Sequence, residues 1–205
     1  MDNPQNTISA FSALKGSLES YFPISDDTWA ALKTICKLRQ VNKRQALYLA
    51  GEIPRSFAYV FSGLFSSFVT DENGNEYNKI FFDEGTFPGS MTALLGSVPS
   101  RFTIESLESS SIIEIDFRGY RELLVEKHDL KLFQIYYLEK NWLLAKEARE
   151  VEIVQDDATH RYKRFLTEHP SLEARLPQYL VASHLGITPT QLSRIRKKLL
   201  KNQPM

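Results

Sequence analysis

Apolar positions recur at helical spacing through residues 7–38: Ile8, Phe11, Leu14, Leu18 and the Tyr21-Phe22 pair, then Trp29, Leu32, Ile35 and Cys36 beyond a polar turn at Pro23 to Asp27. This predicts two short helices, with Cys36 a buried thiol in the helix around Trp29 to Leu38. From Val41 to Asp116 the pattern shortens. Stretches rich in Val, Ile, Phe, Tyr and Thr lie between Gly, Pro, Asn and Asp signals, predicting strands at Ala46–Leu49, Phe57–Leu64, Phe65–Thr70, Tyr77–Phe82, Phe102–Leu107 and Ser111–Asp116. The sharpest turn is Asp71-Glu72-Asn73-Gly74-Asn75, whose Asn-Gly step supplies the positive φ a hairpin needs. Gly51, Gly63, Gly85 and Gly89 fall near other bends, as the corners of an antiparallel barrel or roll require.

After a helical patch at Tyr120 to Glu126, a stretch free of Gly and Pro predicts one long helix over about Asp129 to Gln155. Leu130, Tyr137, Leu144 and Val151 recur every seven residues, beside a mixed seam of Phe133, Lys140, Glu147 and Val154. A second stripe, Ile135, Tyr136, Trp142 and Leu143, is expected to pack on the β domain. A helix apolar on two sides has two partners; the second is a copy of itself in a dimer, or else the helix is an intramolecular core element. Asp156-Asp157 ends this helix and caps the next, Ala158 to Leu166, which exposes Arg161, Lys163 and Arg164.

Val181 to Leu199 reads as two short helices joined at Gly186, a helix-turn-helix. Val181, Leu185, Ile187, Leu192, Ile195 and Leu199 supply the contacts that lock the pair, and Ala182 lets the helices approach closely. Gly186 stands where a left-handed backbone ends the first helix. Thr188 is the expected N-cap and Pro189 the first residue of the second helix, where its missing N–H costs nothing. That helix carries Arg194, Arg196, Lys197, Lys198 and Lys201, the arrangement needed to lay one helix in a DNA major groove.

The 205 residues carry 25 basic and 25 acidic side chains, so the net charge is zero. The balance is not local. Residues 158–205 hold 9 Lys and Arg against 2 acids, or +7, and the remainder is −7. Such a split suggests nucleic-acid contact by the basic end, with a strong dependence on salt. Met1 to Asn6 has neither the basic start nor the apolar core of a signal peptide, and no apolar run approaches a membrane span, so the cytoplasm is the expected compartment. With Cys36 alone there is no intrachain disulfide, zinc knuckle or Cys-ligated cluster. His128, His160, His169 and His184 show no metal-ligand spacing and read as structural or surface residues. No Ser/His/Asp context, paired carboxylates or phosphate-cradling glycine loop points to an enzyme.

The order of β-roll, long helix and C-terminal helix-turn-helix resembles the Crp/Fnr family of bacterial transcription regulators over nearly the whole chain. The segments that carry the likeness are Leu185-Gly186-Ile187-Thr188 with Leu192-Ser193-Arg194-Ile195, the hairpin Asp71 to Glu76, and Phe87-Pro88-Gly89-Ser90 followed by Pro99 to Glu105. The resemblance implies an α+β protein. Its parts would be an antiparallel, jelly-roll-like β-roll (a double-stranded β-helix) flanked by helices over residues 1–128, a dimerisation helix over 129–157, and a helix-turn-helix domain over 158–205. The dimer helix would use Leu130, Tyr137, Leu144 and Val151. It further implies a homodimer on a near-palindromic operator, with RNA polymerase as a further partner. Thr188 would then hold a phosphate beside Pro189; Thr190, Gln191 and Arg194 would face bases; Ser193, Arg196, Lys197 and Lys198 would support them. Arg194 stands out because a guanidinium pairs bidentately with guanine.

Two departures qualify the resemblance. Nucleotide-binding members place a Glu after the cassette glycine and an Arg-Ser or Arg-Thr pair about ten residues on. Here Ser90 follows Gly89, and the later position reads Ser100-Arg101. An effector seat at Gly89, Ser90, Ser100 and Arg101 is therefore not expected to take cyclic AMP or GMP; no cofactor is expected, and the effector is left unidentified. The segment His169 to Pro177 is also too short for the family's β-hairpin wing, and the lone Cys36 argues against an iron–sulfur sensor. The expected function is sequence-specific DNA binding in transcription regulation. The alternative is a small-molecule-binding signalling module whose helix-turn-helix is structural.

Overall fold

A computed structural model describes residues 4–144, 146 and 157–201. The chain forms two compact units, residues 1–69 with 80–145, and residues 70–79 with 146–205.

In the first unit, α1 (Pro4–Glu19) buries Ala10, Leu14 and Leu18, one residue per turn along a single face. Ser25 caps α2 (Asp26–Thr34), its Oγ accepting the Thr28 N–H at 3.2 Å, with Asp26 and Asp27 in the first turn against the helix dipole. The helix then stops short of the predicted Leu38. Cys36 opens a strand instead, β1 (Cys36–Val41), which pairs antiparallel with β7 (Ser110–Asp116) from Cys36↔Ile115 to Val41↔Ser110. A six-residue ladder with a sheet partner outweighs the local helical pattern, a tertiary override of propensity.

The remaining strands lie within a residue or two of the predicted positions: β2 (Ala46–Tyr48), β3 (Ser56–Ser62), β4 (Phe65–Thr70), β5 (Glu76–Phe82) and β6 (Thr103–Ser106). They form two sheets, ordered β1-β7-β3 and β2-β6-β4-β5. Alternation along β3 and β7 explains how both faces of the first sheet are used. Ala58, Val60 and Ile112 point inward with Val41, Leu47, Tyr48, Phe65 and Ile104 to make the interior of the roll. Phe57, Tyr59, Ile113 and Ile115 point the other way, against helices. The open edge of β3 is covered by residues 86–88: Ala58 N–H donates to the Pro88 carbonyl and Val60 N–H to that of Thr86. A short helix, α3 (Met91–Gly96), follows.

The helices on the outer face are α4 (Phe117–Glu126), capped by the Asp116 carboxylate on Gly119 N–H, and α5 (His128–Leu138). The Asp129 carboxylate accepts from Ser25 N–H (2.8 Å), Thr28 Oγ1 (2.7 Å) and its neighbour Leu130 N–H (2.9 Å), tying the start of α5 to that of α2. Burial acts to raise its pKa, but these donors outweigh it and hold the carboxyl down at about 2.

Helix α5 does not continue regularly. Residues Glu139–Leu144 widen into a π-helical turn, where Asn141 Nδ2 donates to the Tyr137 carbonyl and to the Tyr21 hydroxyl, both at 2.9 Å. The apolar faces divide differently from expectation: of the heptad, Leu130 is buried and Tyr137 half-buried, while Leu144 stays exposed. Leu130 and Phe133 are buried in the core under the first sheet, and Tyr137 packs edge-on against Tyr21 and Phe87. Leu130 is thus unavailable to a second chain. Ile135, Tyr136, Trp142 and Leu143, expected against the roll, are 44%, 44%, 52% and 63% exposed, with Leu144 at 61%. Val151, Glu147, Val154 and Asp156 lie outside the described residues.

In the second unit, Asp157 caps α6 (Ala158–Glu168), accepting from Thr159 and His160 N–H at 2.8 and 2.9 Å. Tyr162, Phe165, Leu172, Leu176, Leu180, Val181, Ala182, Leu185 and Leu192 are its buried core. The segment expected to be too short for a wing forms a one-turn helix, α7 (Leu172–Arg175), before α8 (Gln178–His184) and α9 (Pro189–Lys201). Residues 70–79 contribute the Asn-Gly turn, with Gly74 at φ +82° and the Asp71 carboxylate accepting from Asn73 and Asn75 N–H.

Candidate nucleic-acid interface

Helices α8 and α9 meet through a turn whose parts are each accounted for. Gly186 has φ +67°, and the Ile187 N–H reaches back to the Ala182 carbonyl at 3.0 Å, the long bond of a left-handed helix stop. Thr188 then caps α9: Gln191 N–H donates to its Oγ1 (3.2 Å) while Gln191 Oε1 accepts from Thr188 N–H (2.9 Å), a reciprocal capping box. Pro189 is the first residue of α9, and its carbonyl accepts from Gln178 Nε2 at 3.1 Å.

The polar and basic residues expected to meet DNA separate into two groups. Thr190, Arg194, Lys197 and Lys198 are exposed and recur at intervals of three and four, on one face of α9. Lys163 on α6 is exposed as well. Ser193 is half-buried. Arg196, expected to support DNA contacts, instead shares the inner side of α9 with Leu192, four residues earlier. Its Nη2 donates to Glu173 Oε1 at 2.8 Å, and the Tyr162 hydroxyl donates to the same oxygen at 2.5 Å. Burial, then the Glu173 carboxylate, push the Tyr162 phenol up to about 12, so it remains the donor. Arg161, expected to be exposed, is half-buried, and its Nε and Nη2 donate to the Leu185 carbonyl at 3.3 and 3.2 Å, satisfying the end of α8. Ser183, which the sequence did not single out, donates from Oγ to the Glu76 carbonyl and accepts the Asn78 N–H. Of the histidines here, His169 and His184 pack against the Phe165 ring, and His160 hydrogen-bonds Asp157. No group of three or more His, Cys, Asp or Glu side chains fit to hold a metal occurs among the described residues.

The expected effector seat lies in the first unit. Gly89 backs onto β3 so closely that an added Cβ would stand 2.8 Å from Phe57 Cβ, a distance that admits only glycine. Ser90 opens α3 and is buried, as is Ser100. The Ser100 hydroxyl sits 2.7 Å from the Phe102 carbonyl and 3.0 Å from Ser90 Oγ, and accepts the Phe102 N–H at 3.1 Å. Arg101 is exposed.

Comparison with known proteins places this half of the chain. Residues 38–127 match the cyclic nucleotide-binding domain family. Structures of similar fold include the c-di-GMP-responsive global regulator CLP of Xanthomonas campestris, at a TM-score of 0.67 and 19% identity over 87% of this chain and 93% of that one. FixK2 of Bradyrhizobium japonicum gives 0.67 at 15% identity over 82% and 85%. A CooA mutant from Carboxydothermus hydrogenoformans gives 0.66 at 19% over 84% and 79%. No curated protein matches in sequence.

The residues of this matched segment do not fit a cyclic nucleotide. A cyclic phosphodiester carries a charge it cannot lose, and burying it requires a cation or a full set of donors. Among the described residues no Lys or Arg is buried, and the interior of the roll is lined by Val41, Leu47, Tyr48, Ala58, Val60, Phe65, Ile104 and Ile112. The hydroxyls of Ser90 and Ser100 are engaged with each other. No described helix is long and apolar enough to cross a membrane.

Proposed function

We propose that this chain is a sequence-specific DNA-binding transcription regulator of the Crp/Fnr type, acting as a homodimer that is not controlled by a cyclic nucleotide. The observation that carries the reading is the exposed row Thr190, Arg194, Lys197 and Lys198 on the free face of a helix fixed at its start by a glycine turn and a capping box. Placed in a major groove, the Arg194 guanidinium reaches a guanine edge with two parallel donors. Lys197, Lys198 and Lys163 neutralise phosphates and set the register. Thr188 combines its capping role with a phosphate contact, and Gln191 uses its remaining NH2 donors on a base.

Two-fold operators need two such helices one DNA turn apart. The exposed apolar residues Ile135, Tyr136, Trp142, Leu143 and Leu144 support a second copy of this chain as the partner, because so many large apolar side chains gathered within ten residues are costly in water. An effector that altered this packing would re-aim the reading helices, and RNA polymerase would be the downstream partner.

Selection from a random duplex library at moderate salt tests the reading. A recovered near-palindrome is the expected result; no sequence preference overturns it. Arg194→Glu should abolish specific binding and leave the oligomeric state unchanged.

A further inference from the structure

We infer that Arg196 is a positioning residue and not a DNA contact: with Glu173 and Tyr162 it forms a brace that sets the angle of α9, and this brace stands where α7 replaces a wing. The inference rests on the reading of α9 as the DNA-reading helix, and it concerns what aims that helix.

The geometry is specific. Glu173 lies on the one-turn helix α7, Tyr162 on α6 and Arg196 on α9, so one carboxylate oxygen joins three elements. Glu173 Oε1 receives the Tyr162 hydroxyl at 2.5 Å and Arg196 Nη2 at 2.8 Å. The Tyr162 ring is fully packed in the core of the unit, which anchors the carboxylate from below. The Arg196 and Glu173 side chains are 41% and 36% exposed, so the pair closes over the core at the surface. A charge-assisted bond to an oxygen already fixed by a buried phenol has little freedom left to lose, which distinguishes it from an ordinary surface ion pair. The start of α9 is held to α8 by Gln178 Nε2 on the Pro189 carbonyl and to the core by the buried Leu192. The brace therefore controls the remaining freedom, rotation of the far part of α9 about its start.

A phosphate contact and a brace predict opposite signs. If Arg196 bound phosphate, removing Glu173 would free a guanidinium, delete a negative charge and strengthen binding to any duplex. If the brace operates, Glu173→Ala weakens binding to the selected operator by about tenfold and leaves random-duplex affinity unchanged or slightly higher. The salt dependence separates the two as well. Arg196→Met should weaken operator binding with no change in the slope of log affinity against log salt, whereas Lys198→Ala should reduce that slope by about one per reading helix. Arg196→Lys, which keeps a donor for Glu173, should restore most of the operator affinity.

A readout without DNA makes the test independent of the function assigned to α9. Amide hydrogen exchange of the full-length chain should accelerate across residues 193–199 in Glu173→Ala, with residues 158–168 unaffected. Unchanged exchange in α9, or tighter operator binding by Glu173→Ala, overturns the inference. Absence of any operator for the wild-type chain overturns the DNA reading and leaves the exchange result to decide the brace.

Discussion

The side chains of Thr188 and Gln191 close on each other at the head of α9, with Gln191 N–H on Thr188 Oγ1 at 3.2 Å and Thr188 N–H on Gln191 Oε1 at 2.9 Å. Two residues expected to face DNA are thus also the cap of the helix that carries Arg194. Thr188→Val keeps the shape and removes the acceptor. It should lower the stability of the second unit by about 1 kcal/mol, read as a shift of the urea midpoint, while Thr188→Ser retains the wild-type value. Equal midpoints for Val and Ser would show that the cap contributes nothing.

The buried and exposed apolar residues of 128–144 separate stability from assembly. Leu130→Ala opens a cavity in a closed core and should cost about 2–5 kcal/mol, with the oligomeric state unaltered in sedimentation at concentrations where the chain stays folded. Leu143→Glu touches no core; it should dissociate the proposed dimer and, measured at concentrations where both chains are monomeric, leave the unfolding free energy within about 0.5 kcal/mol. Dissociation by the first and not by the second would reverse the assignment of the two faces.

Acid should find Asp129. Its folded carboxyl, near 2, lies below the ordinary value of about 3.9, so the stabilisation it provides is complete above pH ~4 and is lost as pH falls towards 2. Partial exposure reduces the effect to roughly 1–2 kcal/mol. Asp129→Asn should be less stable than wild type at neutral pH and converge with it by pH 2. Parallel pH profiles for the two chains would remove Asp129 from the account.

Burial pushes the Cys36 thiol up to about 12. The thiolate is the reactive species, so at pH 8 iodoacetamide should alkylate the folded chain at least about a hundredfold more slowly than the urea-unfolded one. Comparable rates would place the side chain in contact with solvent.

The elements that sequence located well are those whose signals are local. The Asn73-Gly74 hairpin, the Gly186 stop, the Thr188 cap, Pro189 at the first helical position and the Asp157 cap each depend on the backbone preference of one residue and a hydrogen bond within four positions, and each lies where the pattern put it. The β strands were legible for a similar reason, since period-two alternation and turn residues bound them. The brace left one trace, Arg196 four residues beyond the buried Leu192, but its partner Glu173 is 23 positions away and no spacing rule connects them.

Sequence by itself determined the kinds of element, their order, the basic bias of the last 48 residues and the turn that starts α9, because these follow from side-chain periodicity, backbone sterics and charge content. Tertiary structure decided what each face meets. Cys36 became strand because β7 offered a ladder, Phe133 went inward where the Tyr21 and Phe87 rings pack it, Leu130 joined the same core, and the Arg196 guanidinium found a carboxylate partner in Glu173. An amphipathic pattern states that a face is apolar or charged, not which partner covers it, and the partner is a property of the folded chain alone.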